Sequence, residues 1–122
     1  MVLTHLLLPD MLAHRSGAIV NIASTAARAA RAGEAAYAAA KAGLLAFSRA
    51  LFAEVRDNGV KVVAVCPGYV DTDFIPPNRR VDRSKFLQPD DVAEAIVHVI
   101  ATAPHACPTD VVLEPQFNPE RM

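Results

Sequence analysis

Apolar and polar positions in the first half of the chain alternate between helix-like and strand-like spacing. Residues 1–14 are apolar at helical intervals, and residues 18–24 (AIVNIAS) form a short apolar run typical of a buried strand. Residues 25–34 fit either a loop or a helical turn. A long helical pattern then covers about 35–57 and meets an Asn-Gly pair ending at Gly59, which favours a helix stop.

The second half of the chain shows the same alternation. Residues 60–66 form a β-branched run that halts at a Pro-Gly pair, and the polar, proline-containing stretch at 69–88 is typical of a loop. Residues 88–104 begin with proline and two aspartates, which favour a helix N-terminus, and residues 110–115 (DVVLEP) are a third strand candidate. The order predicts an α/β fold with about three parallel strands, flanking helices and right-handed crossovers.

The composition is that of a globular protein and narrows the range of partners. Of 122 residues, 52% are hydrophobic and 20% are charged, with a formal net charge of −1. The chain shows no basic stripe, which argues against nucleic acid or an anionic membrane as a partner. No apolar run reaches the roughly 20 residues that a membrane span needs. The two cysteines lie far apart in the sequence, which fits a reducing compartment, so we expect a cytoplasmic protein. The length fits one domain over residues 1–122.

Candidate reactive groups gather at one predicted edge of the sheet. In open parallel sheets, ligands bind beyond the carboxyl ends of the strands. That rule selects Ser24, which closes the first predicted strand, and Pro67 with Gly68, which close the second. The helix between these strands carries Tyr37 and Lys41 in its first two turns, near the same edge.

Tyr37 and Lys41 have the spacing of a proton-transfer pair. Four residues apart, they share one helix face. A phenol releases its proton only near pH ~10 in water, and a neighbouring ammonium stabilises the phenolate. Ser24 would hold a substrate oxygen against the tyrosine by a hydrogen bond. The alternatives are a packing tyrosine, a strand-end hydroxyl and a solvated lysine, but together the three residues predict a proton-transfer site for an alcohol or carbonyl.

The same residues resemble the short-chain dehydrogenase/reductase family, in particular its 3-oxoacyl-carrier-protein-reductase-like members. Ser24 followed thirteen residues later by Tyr37 and a YxxxK pair has the family's pattern, and IVNIAS is similar to its catalytic-serine strand. Residues 66–74 (CPGYVDTDF) resemble its PG-x-V-x-T segment, and residues 89–100 resemble its penultimate helix. The resemblance covers nearly the whole chain and implies the carboxyl-terminal half of a Rossmann-like, doubly wound parallel sheet.

The resemblance also implies a role for each matching residue. Tyr37 would be the general acid/base, Lys41 would support it and hydrogen-bond the nicotinamide ribose, and Ser24 would orient the substrate oxygen. Tyr37 and Lys41 would thus contact the cofactor, NAD or NADP, as well. Four more residues would line its nicotinamide side: Pro67, Gly68, Val70 and Thr72. The implied reaction is hydride transfer between the nicotinamide and a small carbonyl or alcohol substrate.

The amino-terminal signature of the family is absent from this sequence. Members begin with a strand and a TGxxxGxG turn, which seats the cofactor's pyrophosphate at a helix N-terminus. No two of the five glycines here form a GxG, and the first helical pattern is already running at the first residue. We therefore expect a partial Rossmann-like domain over 1–122, without the phosphate-binding half and with one unpaired edge on the strand at 18–24.

Two functions are consistent with this arrangement. The first is an NAD(P)-dependent oxidoreductase of this family. The alternative is a catalytically silent truncated fragment that acts only as a folding or dimerisation partner. A serine hydrolase is a distant third candidate, because the chain has no GxSxG motif and no histidine placed as its base.

The long helix predicts a partner for its second apolar face. One set of side chains would cover the sheet: Ala36, Ala40, Leu44, Phe47, Leu51 and Val55. A second, smooth set remains: Ala39, Gly43, Ala46, Ala50 and Ala53. In the resembling family this helix and the preceding one build a dimer interface. We therefore expect a homo-oligomer through the helices at 1–14 and 35–57.

Two further segments lie near the predicted edge. The loop at 69–88 would form a lid over the substrate, and its run at 74–77 (FIPP) predicts a partly apolar pocket. Arg28 and Arg31 invite a phosphate-binding interpretation, although solvated loop charges are the simpler one. The sequence does not identify the substrate, so ketoacyl thioesters, steroids, sugars and small alcohols all remain candidates.

Overall fold

A computed structural model describes residues 1–76 and 80–121, so Pro77 of the predicted apolar run lies outside the described residues. The helices and strands follow the predicted order: α1 Val2–His14, β1 Gly17–Ile22, α2 Ala35–Val55, β2 Val60–Pro67, α3 Pro89–Ile100 and β3 Asp110–Leu113. The segment at 25–34 contains a short 3₁₀ turn, Thr25–Ala27. No helix in the described part of the chain is long and apolar enough to cross a membrane.

The strands form one parallel sheet in the order β1-β2-β3, which confirms the predicted α/β class. Gly17 of β1 lies opposite Val60 of β2, and Ala64 of β2 lies opposite Asp110 of β3. Within the described residues β1 pairs with β2 alone, so the expected unpaired edge is present. The carboxyl ends of the three strands therefore lie along one side of the sheet.

The central strand β2 is apolar throughout because both of its faces are covered. Val62 packs with α1 and α2, and Ala64 packs with α2, on one face of the sheet. Val63 and Val65 pack with α3 on the other face, since successive side chains of a strand point to opposite sides. The result is a three-layer arrangement of helices, sheet and helix.

The two crossover connections differ in hand. The steps from β1 to β2 and from β2 to β3 run in the same direction across the sheet, so two crossovers of one hand would place α2 and α3 on the same face. These helices instead cover opposite faces. The expectation of right-handed crossovers throughout is therefore wrong for one of them. β2 ends at the carboxyl edge of the sheet, and the next helix, α3, begins at Pro89 on the opposite face from α2.

The sheet-facing side of α2 agrees with the prediction in its second half and differs from it in the first turns. Leu51 and Val55 are buried as predicted, but Ala36 and Ala40 are exposed, and Ala38, Leu45 and Ser48 are buried as well. Alanine repeats give the helix no size contrast, so they cannot specify its rotation. Ser48 helps to fix the rotation of α2. Its hydroxyl accepts a hydrogen bond from Asn21 of β1 at 2.9 Å and donates to the carbonyl of Leu44 at 2.8 Å. Burying a small polar residue is favourable when it is hydrogen-bonded in this way.

Gly59, which follows α2 and a short 3₁₀ turn, has a conformation that alanine tolerates poorly. Its φ is 75°, and a Cβ there would collide with the carbonyl oxygen of Arg15. Gly33 has a similar φ of 86°, but no described atom lies within 4 Å of its Cβ position. We expect Gly59→Ala to lower the free energy of unfolding by about 2 kcal/mol and Gly33→Ala by about 1 kcal/mol, measured by urea denaturation. Equal losses in the two variants would contradict this account.

A charged cluster ties β3 to α2 and to the 3₁₀ turn after β1. Asp110 at the start of β3 forms ion pairs with Arg49 of α2 and, at 3.4 Å, with Arg28. Arg28 is thus paired rather than simply solvated. The hydrogen bond from Arg49 is the main reason that the pKa of Asp110 lies below its ordinary value of 3.8.

The stability contributed by Asp110 depends on pH in a defined direction. Because its pKa is lower in the folded chain, the ionised form stabilises the fold above the unfolded pKa, and this contribution is lost as pH falls through the folded value. We expect Asp110→Asn to lower the free energy of unfolding by about 1 kcal/mol at neutral pH, with the difference from the original chain vanishing as the pH falls below the pKa of Asp110 in the folded chain. Denaturant titrations across this pH range test this. A difference that persists at the acid end would refute the assignment.

Candidate active site

A cavity of about 480 Å³ lies beyond the carboxyl ends of all three strands. The segment after β1 contributes Ser24, β2 contributes Pro67 at its end, and Glu114 directly follows β3. The first turns of α2 contribute Tyr37 and Lys41. The cavity is lined by every residue that the sequence predicts for the site: Ser24, Tyr37, Lys41, Pro67, Gly68, Val70 and Thr72.

Ser24 is held in place by the 3₁₀ turn that it caps. Its backbone is extended, and its Oγ accepts a hydrogen bond from the backbone N–H of Ala26 at 3.1 Å. A serine hydroxyl that accepts in this way still has its own O–H to donate. The side chain is almost fully buried, with 9% exposure, so its orientation is set by the fold. Ser24 can therefore present a fixed donor to an oxygen in the cavity.

Lys41 links α2 to the end of β1. Its Nζ donates to the carbonyl oxygen of Ile22 at 2.9 Å and lies 5.8 Å from the centroid of the Tyr37 ring. An ammonium this close to the ring places positive charge beside the tyrosine. The Ile22 carbonyl thus orients the lysine, which is a contact that the sequence does not reveal.

Backbone hydrogen bonds hold the segment after β2 on both sides of Val70. Val70 forms a parallel bridge with Leu87, in which the N–H of Leu87 donates to Tyr69 and that of Asp71 donates to Leu87. In this geometry the backbone groups of Val70 itself point away from the bridge. Gly68 is also held, since its N–H donates to the carbonyl of Leu113 at 2.7 Å.

Thr72 lies at the exposed end of this segment. The guanidinium of Arg83 donates to its carbonyl oxygen at 3.1 Å and to that of Ile75 at 3.2 Å. The same guanidinium forms an ion pair with Asp71. One arginine therefore holds the backbone around Thr72, and Thr72 lines the cavity.

The cavity also contains two carboxylates that sequence reasoning did not identify, Glu34 and Glu114, beside Arg31 and Phe74, which it had noted. Phe74 was noted as part of an apolar run, but its place beside Tyr37 requires the folded loop. Glu114 follows the third strand, so the strand-end rule that selected Ser24 and Pro67 could have found it.

Arg31 has a defined environment rather than that of a solvated loop charge. Its guanidinium lies over the Tyr69 ring, 5.1 Å from the centroid, and pairs with Glu120 at 2.8 Å. The hydroxyl of Tyr69 also donates to Glu120 at 2.8 Å, and its ring stacks on Phe86. Three distant segments of the chain therefore meet at one side of the cavity.

Cys66 lies behind the cavity and is fully buried in β2. Burial raises the pKa of its thiol, against a smaller opposing effect of a hydrogen bond with the Ser24 backbone. A thiol that stays protonated is a poor nucleophile. Cys66 is thus a packing residue rather than a candidate nucleophile.

Comparison with known proteins identifies relatives of this chain. A family model described as short chain dehydrogenase matches residues 1–82. The chain is 42% identical over 103 residues to ketoacyl reductase HetN from Nostoc sp., covering 82% of this chain and 36% of that protein. It superposes on serine dehydrogenase from Escherichia coli with a TM-score of 0.76 and 30% identity, over 90% of this chain and 45% of that one. A closed form of serine dehydrogenase complexed with NADP+ gives a TM-score of 0.74 and 28% identity, over 91% and 48%.

These matches agree with the pattern found in the sequence. This chain spans less than half the length of each of the three proteins, as expected for the carboxyl-terminal half of such a fold. The family match runs from α1 through the loop after β2 and includes all seven predicted site residues. The chain therefore belongs to the short-chain dehydrogenase family.

Proposed function

We propose that this chain carries the catalytic part of an NAD(P)-dependent oxidoreductase that interconverts a carbonyl and an alcohol. The observation that supports this most strongly is the convergence of Ser24, Tyr37 and Lys41 on one cavity at the carboxyl edge of the sheet. These residue types can transfer a proton to a carbonyl oxygen, and the chain belongs to the short-chain dehydrogenase family.

In the proposed reduction, each of these residues has one task. Tyr37 donates its phenolic proton to the carbonyl oxygen as that oxygen gains negative charge. Lys41, held by the Ile22 carbonyl, stabilises the resulting phenolate with its ammonium charge. Ser24 donates a hydrogen bond to the same substrate oxygen, which fixes it against Tyr37. A nicotinamide cofactor, which Lys41, Thr72 and Val70 would hold, would supply the hydride for the carbonyl carbon.

The cavity residues fit the nicotinamide end of the cofactor. Lys41 offers an ammonium to the ribose hydroxyls, and Thr72 offers a hydroxyl to the cofactor. The backbone groups of Val70 point away from the bridge with Leu87, so they can bind the nicotinamide. A serine dehydrogenase of similar fold is described as complexed with NADP+, which supports a nicotinamide cofactor here. Pro67 and Gly68 would complete this wall.

We further propose that the protein works in the cytoplasm. Both of its cysteines are free thiols, which supports a reducing compartment.

Cofactor titration tests this proposal. The sequence contains no TGxxxGxG turn for the pyrophosphate, so residues 1–122 alone should bind NADPH and NADH weakly. The same chain joined to the amino-terminal half of a family member should bind one of them tightly and oxidise it with a ketone. If the joined protein binds the cofactor but no carbonyl or alcohol is converted, the proposal is wrong, and the alternative of a catalytically silent fragment is favoured.

Exposed apolar side chains support a second proposal, that two copies associate through α1 and α2. α1 leaves Leu3, Leu6 and Leu7 between 46% and 67% exposed. The five small residues of the second α2 face are also exposed: Ala39, Gly43, Ala46, Ala50 and Ala53. Both helices pack on the same face of the sheet, so their outer surfaces can form one interface.

A charge placed on α2 tests this association. We expect Ala46→Glu to convert the dimer to monomer, because a buried unpaired carboxylate at an interface costs several kcal/mol. Ala93→Glu on the exposed side of α3 is the matched control and should leave the dimer intact. Analytical ultracentrifugation measures the outcome. Identical sedimentation of both variants and the original chain would contradict an interface at α2.

A further inference from the structure

Phe74 occupies an unusual position for a large apolar side chain. It is 75% exposed, yet it lines the cavity, and its ring centroid lies 5.7 Å from that of Tyr37 with the two planes tilted by 37°. Aromatic rings attract each other and flat apolar groups at such distances. The exposed face of Phe74 is therefore an apolar surface beside the hydroxyl that handles the proton.

The cavity around Phe74 offers apolar contact rather than a site for an anion. The buried side chain of Ile75 lines it, and so do three alanines between Ser24 and Arg31 in the sequence: Ala26, Ala29 and Ala30. A substrate that reaches Tyr37 therefore passes small and apolar side chains.

The charged groups of the cavity also disfavour an anionic substrate. Of the two cations among its described lining residues, Arg31 is paired with Glu120, whereas Lys41 donates to the carbonyl of Ile22 and is the cation that the proposed chemistry assigns to Tyr37 and the cofactor. Glu114 adds a carboxylate to the same lining. A negatively charged substrate would have to compete with Glu120 for Arg31 and would meet a like charge at Glu114.

We propose that Phe74 determines the substrate class of this site: an uncharged ketone or secondary alcohol whose flat apolar group lies against the Phe74 ring while its oxygen meets Tyr37. This inference rests on the proposed oxidoreductase function and adds the substrate class to it. It excludes free keto acids and other small anions as preferred substrates.

Tyrosine labelling gives a readout that does not depend on turnover. The chain has two tyrosines, so 3-fluorotyrosine labelling yields two fluorine NMR resonances, and Tyr69→Phe identifies that of Tyr37. The probes are acetophenone and phenylglyoxylate, which share a phenyl ketone and differ by a carboxylate. Acetophenone should shift the Tyr37 resonance to saturation, and phenylglyoxylate should bind about fivefold more weakly.

Two phenylalanine variants test the role of the ring itself. Phe74→Ala should weaken acetophenone binding about fivefold, since it removes one stacking face. Phe117→Ala is the matched control, because Phe117 is 67% exposed and is not among the residues that line the cavity, and it should leave the affinity unchanged. Both side chains are exposed, so both variants are expected to fold.

Each contrary outcome overturns a defined part of the inference. Equal affinity for the two ketones refutes the exclusion of anions, and unchanged binding in Phe74→Ala refutes the role of Phe74. A Tyr37 resonance that responds to neither ketone refutes the whole proposal. Failure of the oxidoreductase function alone has a different signature, in which acetophenone binds as described but accepts no hydride from NADH or NADPH.

Discussion

Replacing Tyr37 with phenylalanine is expected to lower ketone reduction about 10³-fold, because a positioned acid or base contributes roughly 10²–10⁴-fold to such reactions. The substitution removes one hydroxyl and keeps the ring that contacts Phe74. The cavity should therefore keep its shape, and ketone binding should change little. The measurement is the loss of nicotinamide absorbance, in the chain joined to the amino-terminal half of a family member.

The second tyrosine of the chain provides the control for Tyr37→Phe. Tyr69 also lines the cavity, but its hydroxyl donates to Glu120 rather than serving the proposed chemistry. Tyr69→Phe removes the same atom from the same kind of residue and should retain turnover within about threefold. If both variants lose activity equally, or if Tyr37→Phe retains it, Tyr37 is not the acid/base.

Lys41→Met is expected to lower turnover about 10²-fold, the next largest effect. The variant keeps an unbranched side chain on α2 but removes the ammonium that lies 5.8 Å from the Tyr37 ring centroid. It also removes the hydrogen bond to Ile22, so part of any loss reflects the position of α2 against β1. Steady-state kinetics of the joined protein, together with thermal unfolding, separate these two effects.

Lys61 is the matched control for Lys41. Its Nζ likewise donates to backbone carbonyls, those of Thr102 and Ala103, but on the α3 side of the sheet, away from the cavity. Lys61→Met should lower stability by a similar amount of about 1 kcal/mol and leave turnover unchanged. A loss of turnover in Lys61→Met that equals the loss in Lys41→Met would show that the Lys41 effect is only structural.

Local sequence patterns were sufficient to predict the elements and their order. The β-branched run of β2 requires burial on both faces, and the Asn-Gly pair after α2 supplies the left-handed residue at the end of the following 3₁₀ turn. Because the strands are parallel, the strand-end rule placed Ser24 and Gly68 at one edge without knowledge of the packing. The four-residue spacing of Tyr37 and Lys41 then predicted which side of α2 faces that edge.

The remaining features depend on contacts between distant segments. The sheet-facing side of α2 was mispredicted at Ala36 and Ala40 because alanines are equally acceptable on either side of a helix. The Asn21–Ser48 hydrogen bond, which helps to set the rotation, joins residues 27 positions apart. The hand of one crossover depends on the path of the loop that begins at Gly68, which periodicity does not encode. The contact of Phe74 with Tyr37 arises in the same way, from the fold of that loop over the cavity.

Label transfer tests the central claim, that Tyr37 supplies the proton while a nicotinamide supplies the hydride. The joined protein is incubated with acetophenone and with NADH or NADPH carrying deuterium at the transferable position, and the alcohol is analysed by deuterium NMR. We expect deuterium on the carbinol carbon with the original sequence, and about 10³-fold slower labelling with Tyr37→Phe. An unlabelled alcohol, or equal labelling rates for the two proteins, would contradict the account.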